Sequence, residues 1–203
     1  MDFKDFNDDK VTLHNIESDT ENNLYRSKIT YGDDTIKIQA PRMILKTLDG
    51  PNSNINLEFT EDNEEFYQFI HVFENFIKTK IVLESGDIIG KTIPSKSVET
   101  MYKTFVNLPT KLTHHPTIKI SFNMETINVL NKGNDKMEFE NVQENSEVES
   151  VLSIENVIFY RNKCLLEINL ETIKILSQVS QINTYMFTDD TDTDESEKMD
   201  SEC

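Results

Sequence analysis

The chain has 203 residues, 36% of them hydrophobic, and a formal net charge of −17 from 37 acidic and 20 basic side chains. That length buries a core without metal or disulfide staples, and two cysteines, Cys164 and Cys203, are too few and too far apart for a disulfide framework or a zinc ribbon. A charge this negative argues against a polyanionic partner unless the acids are segregated, and they are: residues 188–203 hold eight acids and one base, residues 1–23 seven and two, residues 137–160 six and none, which leaves 17 bases against 16 acids elsewhere.

Residues 1–23 lack sustained periodicity and are rich in Asp and Asn, so they read as a flexible acidic arm. The acidic start MDFKDFNDDK is not expected to be a signal peptide, and the short apolar runs predict no bilayer span. Leu24 to Tyr31 carries strand signals, Gly32-Asp33-Asp34 a turn, and Thr35 to Gln39 strict alternation. The pattern predicts a hairpin with Ile36 and Ile38 facing a core and Lys37 facing away. Pro41 is expected to limit that strand. Asn54 to Phe59 alternates again.

The period then changes. Phe66, Phe69, Ile70, Phe73 and Ile77 fall on one face of a helix, with Asp62 and Glu65 spaced like a capping box. A second helix is predicted over 96–107, with Ser95 as its N-cap and Val98, Met101, Tyr102 and Phe105 as its stripe. Strands return at Thr117 to Phe122, at Val151 to Tyr160, and from Cys164 to about Ile175. Between them lies an acidic insert, 138–150. Two helices between a front and a back group of strands suggest α+β, or a small barrel with a helical insertion, with acidic disordered ends. The domain would span 24–187, with an acidic disordered tail over 188–203.

No catalytic or metal-binding set assembles. Ser85-Gly86-Asp87-Ile88-Ile89-Gly90-Lys91-Thr92 ends like a phosphate-binding loop, but Gly86 leaves only three residues before Gly90, one short of the motif. It reads as a turn before the second helix. His114 and His115 are adjacent, which suits neither helical nor strand ligation. The phenylalanine stripe reads as core packing. The chain is therefore expected to be non-enzymatic, without cofactor or metal.

The remaining signal is cations interleaved with aromatic residues on strands: Tyr25, Arg26, Lys28 and Tyr31; Lys37, Arg42 and Lys46; Lys119; and Phe159, Tyr160, Arg161 and Lys163. Single strands of nucleic acid bind where rings stack on bases beside cations that follow phosphates. Ordinary solvated strand faces would give the same pattern.

The order Ile36-Lys37-Ile38-Gln39-Ala40-Pro41-Arg42-Met43, then Ile89-Gly90-Lys91 ahead of Met101, Tyr102 and Phe105, then Pro116-Thr117-Ile118-Lys119-Ile120, then Val157 to Lys163 resembles the single-stranded DNA-binding proteins of the nucleocytoplasmic large DNA viruses, across roughly residues 24–176. The resemblance implies an OB-fold core, which makes the expected fold class α+β, mainly β, an OB-like β-barrel with two inserted helices and acidic disordered termini; it also implies no catalysis, single-stranded DNA as partner, service to viral DNA replication, recombination or repair, and a place in the host cytoplasm or viral factory. Its basic positions correspond to Lys37, Arg42, Lys91 and Lys119. The chain departs from it by carrying Phe159 and Tyr160 where a tryptophan-bearing strand is expected, and by its acidic insert. Tyr25, Lys37, Arg42, Lys46, Lys91, Lys119, Tyr160, Arg161 and Lys163 are the candidate binding residues. The acidic tail would compete with DNA or recruit replication or repair proteins. The alternative is an acidic viral scaffold or protein-interaction module that binds no nucleic acid.

Overall fold

A computed structural model describes residues 1–49, 53–110 and 114–178. Nine strands run in chain order: β1 (Val11–Asp19), β2 (Leu24–Tyr31), β3 (Asp34–Asp49), β4 (Asn54–Glu58), β5 (Val106–Asn107), β6 (Thr117–Phe122), β7 (Asn128–Leu130), β8 (Glu147–Tyr160) and β9 (Lys163–Ser177). Two helices, α1 (Glu64–Ile88) and α2 (Ser95–Met101), lie between β4 and β5. Strands β3, β4, β6, β9 and β8 close into a ring, because β8 pairs with both β3 and β9. β1 and β2 extend the sheet beyond β8.

Alternation decides which side chains fill the ring. On β6, Ile118, Ile120 and Phe122 are buried while Lys119 and Ser121 are exposed, as period-two strands require. On β3 the buried set runs Ile36, Ile38, Ala40 and then Met43, Leu45. The change of phase is a bulge between Ala40 and Met43. Pro41, expected to limit the strand, sits inside this bulge, where its missing N–H costs no ladder bond, so β3 continues to Asp49.

α1 closes the interior. Its Phe66, Ile70, Phe73, Ile77 and Ile81 are buried, and the phenylalanine face meets Ile38, Leu152, Ile154 and Ile168 with a gap of only about 10 Å³. Each such side chain contributes about 1.5–3 kcal/mol on burial. The helix begins differently from the expected Asp62/Glu65 box. Thr60 donates its N–H to Asn63 Oδ1 at 2.7 Å, and Asn63 Nδ2 donates to the Arg42 carbonyl at 2.9 Å. Asn63 thereby ties the helix start to the β3 bulge.

α1 also runs further than expected, through Ser85-Gly86-Asp87-Ile88. The turn begins only at Ile89, with Gly90 at φ +74°, a conformation glycine adopts without steric cost. α2 is shorter than the predicted 96–107, and Pro94 rather than Ser95 occupies its N-cap position. Tyr102 leaves the helix because the next residue joins the sheet: the Lys103 N–H donates to the Cys164 carbonyl at 2.7 Å.

Residues 1–23 are not a free arm. They form two 3-10 turns, Phe3–Asp5 and Asp8–Lys10, and then β1, which pairs with β2. Phe3 packs 5.1 Å from Phe66, and Phe6 packs 5.3 Å from Phe73, ring centre to ring centre. Two phenylalanines among the acids pack the segment onto α1. The 138–150 insert likewise supplies a 3-10 turn, Phe139–Asn141, and the first residues of β8, where Val148 and Ser150 are buried. The acidic tail, 188–203, lies outside the described residues.

Candidate nucleic-acid interface

The ring has one parallel seam. β6 meets β9 only at Ser121↔Asn169 and Phe122↔Leu170. Away from the seam β6 turns to β5, through Val106↔Ile118 and Asn107↔Thr117, while β9 bridges to Tyr102 through Cys164. Residues 102–107 thus form a wedge between two ring strands. Beside the wedge lies a groove of about 410 Å³. Phe105, Ile158 and Leu165 give it an apolar lining, and Lys119, Ser121 and Asn169 supply polar groups. Glu167 also reaches it but is already engaged, by Asn156 Nδ2 at 2.6 Å and Arg26 Nε at 3.5 Å. Arg26 is paired with Asp19 as well, whose carboxyl is held low, at about 2, by hydrogen bonds from the Asn22 side chain and backbone and then by Arg26.

The β8–β9 hairpin continues the surface. Tyr25 stands in register with Phe159 and is 52% exposed. Tyr160 pairs with Lys163, and between them Arg161 adopts φ +52°. Its guanidinium carbon lies 5.0 Å from the centre of the Tyr160 ring, a cation–π arrangement. Among the described residues, no carboxylate lies within ion-pair distance of Lys103, Lys119, Arg161 or Lys163.

The sequence-predicted residues therefore divide. Tyr160, Arg161 and Lys163 gather at the hairpin and Lys119 sits in the groove, while Tyr25, in register with buried Phe159, lies on the opposite face of the sheet from Tyr160. Lys37, Arg42 and Lys46 lie along β3 and each meets a carboxylate: Glu171 at 2.7 Å, Glu147 at 3.8 Å and Glu58 at 3.2 Å. Exposed pairs of this kind add little stability, but they leave no unpaired cation. Lys91 is exposed on the turn after α1 and does not line the groove.

Lys103 was not among the predicted residues, because it fell inside the predicted helix. A charge count finds it. Residues 88–124 carry Lys91, Lys96, Lys103, Lys111 and Lys119 against the single acid Glu99, with His114 and His115 in addition. This is the basic segment of an acidic chain, and it includes the wedge.

Beneath the wedge the chemistry is inert. The Cys164 thiol is buried, which pushes it up to about 12, so it holds little thiolate at neutral pH. Burial, and then the neighbouring Glu74, push the Tyr102 phenol upward. Among the described residues, no cluster of three or more His, Cys, Asp or Glu is placed to hold a metal, and no helix is long and apolar enough to cross a membrane.

The backbone is similar to that of the single-stranded DNA-binding protein gp2.5 encoded by bacteriophage T7. Identity is 12%, the match covers 71% of this chain and 88% of that one, and the TM-score is 0.50. It is also similar to the single-stranded DNA-binding protein from bacteriophage Enc34, at 14% identity over 82% and 90% of the two chains with TM-score 0.48. The same phage protein in complex with single-stranded DNA gives 14%, 81% and 96%, and 0.47. At these identities the T7 likeness is one of fold. No family model and no curated protein sequence matches the chain.

Proposed function

We propose that this chain is a non-catalytic single-stranded DNA-binding protein. The observation that carries this reading is the backbone shared with the T7 protein, whose name states that it binds single-stranded DNA. The closed five-strand ring supports an OB-like description, and the order of the motifs supports a place among the binders of large DNA viruses, in replication, recombination or repair. The strand's path would run from the hairpin, where Tyr160 offers a ring face, along the groove to Lys119. Lys103, Arg161 and Lys163 would flank it. Each stacked base is worth about 1–3 kcal/mol with little sequence preference. The acidic tail would compete for these cations or engage replication proteins.

A specific observation favours the second reading, an acidic interaction module: the β3 cations are matched by carboxylates from other strands. Salt dependence separates the two. Neutralising four phosphates on a single strand gives a slope of log K against log salt of about −3, or about fifty-fold weaker binding between 50 and 200 mM. Oligo-dT titrations over that range should show this slope and a preference over duplex of equal length. Absence of binding, or equal affinity for duplex, would overturn the proposal.

A further inference from the structure

The wedge has no regular structure of its own over Lys103–Phe105, yet it supplies Phe105 and Thr104 to the groove. Lys103 is held by the Cys164 carbonyl, and Thr104 and Phe105 are held from α1. Glu74 is 4% exposed, and both of its carboxylate oxygens are committed to the wedge. Thr104 donates its hydroxyl to Oε2 at 2.8 Å, and the Phe105 N–H donates to Oε1 at 3.2 Å. The Thr104 hydroxyl in turn accepts the Val106 N–H at 3.1 Å. A buried carboxylate is costly unless hydrogen-bonded, and Glu74 is the only acid among the core-facing residues of α1, which are otherwise apolar apart from Ser85. The fold tolerates it where the Thr104 hydroxyl and the Phe105 N–H would otherwise go unmet.

We infer that Glu74 is a positioning residue for nucleic-acid binding: from inside the fold it sets the wedge that forms one side of the groove, though it lines no part of the groove itself. This inference rests on the proposed function. The sign of the effect distinguishes it from electrostatics. Removing an acid from a protein that binds a polyanion strengthens binding if charge alone matters. Removing this acid weakens it, because Thr104 and Phe105 lose their placement.

The test compares wild-type protein with Glu74→Leu, Glu74→Gln and Thr104→Val, each checked for native far-UV circular dichroism. Amide exchange at Phe105 and the affinity for an oligo-dT are measured at several salt concentrations. Glu74→Leu should speed exchange at Phe105 about ten-fold or more, as loss of a hydrogen bond to a charged group implies, and should weaken oligo-dT binding. Glu74→Gln keeps an acceptor for the Phe105 N–H and should restore most of both. Thr104→Val should give a smaller loss and decides the matter if Glu74→Leu does not fold. Unchanged or tighter binding by folded Glu74→Leu, or by Thr104→Val where Glu74→Leu is unfolded, would overturn the inference. If wild-type protein binds no oligo-dT, the proposed function falls, while faster exchange confined to residues 103–106 would still establish the strut and unchanged exchange there would refute it.

Discussion

The Arg161 guanidinium lies over the Tyr160 ring while the Arg161 backbone holds a left-handed conformation, φ +52°. The first fact stabilises the hairpin by about 0.5–1 kcal/mol at an exposed site. The second costs an L-residue roughly 1–2 kcal/mol. The turn thus carries a cation where glycine would suit the backbone better.

Arg161→Gly should separate these effects. Relief of the backbone offsets the lost cation–π contact, so stability should hold within about 1 kcal/mol. Oligo-dT binding should weaken, and the salt slope should fall by about one phosphate contact. Urea unfolding and salt-dependent titration of one preparation check both halves. Unchanged binding would remove Arg161 from the interface.

Tyr160→Ala should weaken binding by about 1–3 kcal/mol with little change in the salt slope, since a ring contributes stacking rather than counterion release. Fluorescence anisotropy with a labelled oligo-dT at two salt concentrations measures both. A folded variant with unaltered affinity would show that the ring is idle.

Lys119→Ala and Lys103→Ala should each lower the salt slope by up to about one contact. Arg42→Ala and Lys46→Ala should lower it less, because Glu147 and Glu58 already engage these cations. The same slope from all four variants would mean that phosphate displaces the β3 ion pairs.

Truncation after Phe187 removes eight acids and one base. A tethered segment reaches an effective concentration in the millimolar range. If it competes with DNA, its loss should tighten binding. The gain should shrink as the Debye length falls from about 30 Å at 0.01 M salt to about 10 Å at 0.1 M. Equal affinities of full-length and truncated protein at low salt would assign the tail to protein partners or to solubility.

A Cys203→Ser variant leaves Cys164 as the sole thiol. Its burial, and a thiol pushed up to about 12, predict negligible reaction with an aromatic disulfide reagent in native buffer and full reaction in denaturant. Rapid native labelling would show that β9 opens beneath the wedge.

Local periodicity was legible in the sequence wherever burial is one-sided. Ile118, Ile120 and Phe122 on β6 and the Phe66–Ile77 face of α1 sit where alternation and helical spacing put them. Relations between distant segments were not legible. Nothing near Phe3 or Phe6 shows that α1 offers rings to receive them. Lys37 looks like a phosphate ligand until β9 brings Glu171 to it across 134 positions. Lys103 was concealed by a helix prediction that no local signal contradicted, since the bond that ends the helix is made to Cys164. The segregation of lysines over 88–124 was countable from the start, and that stretch includes the wedge.

The seam at Ser121↔Asn169 and Phe122↔Leu170 is also the shortest pairing in the ring. β8 and β9 are joined by a tight turn and pair along their whole length, so their contacts form with little loop-closure entropy. The seam joins residues almost fifty positions apart by two parallel pairs, whereas β3 and β8, more than a hundred positions apart, share seven. Opening the ring at the seam therefore breaks the fewest ladder bonds, and the groove lies beside it.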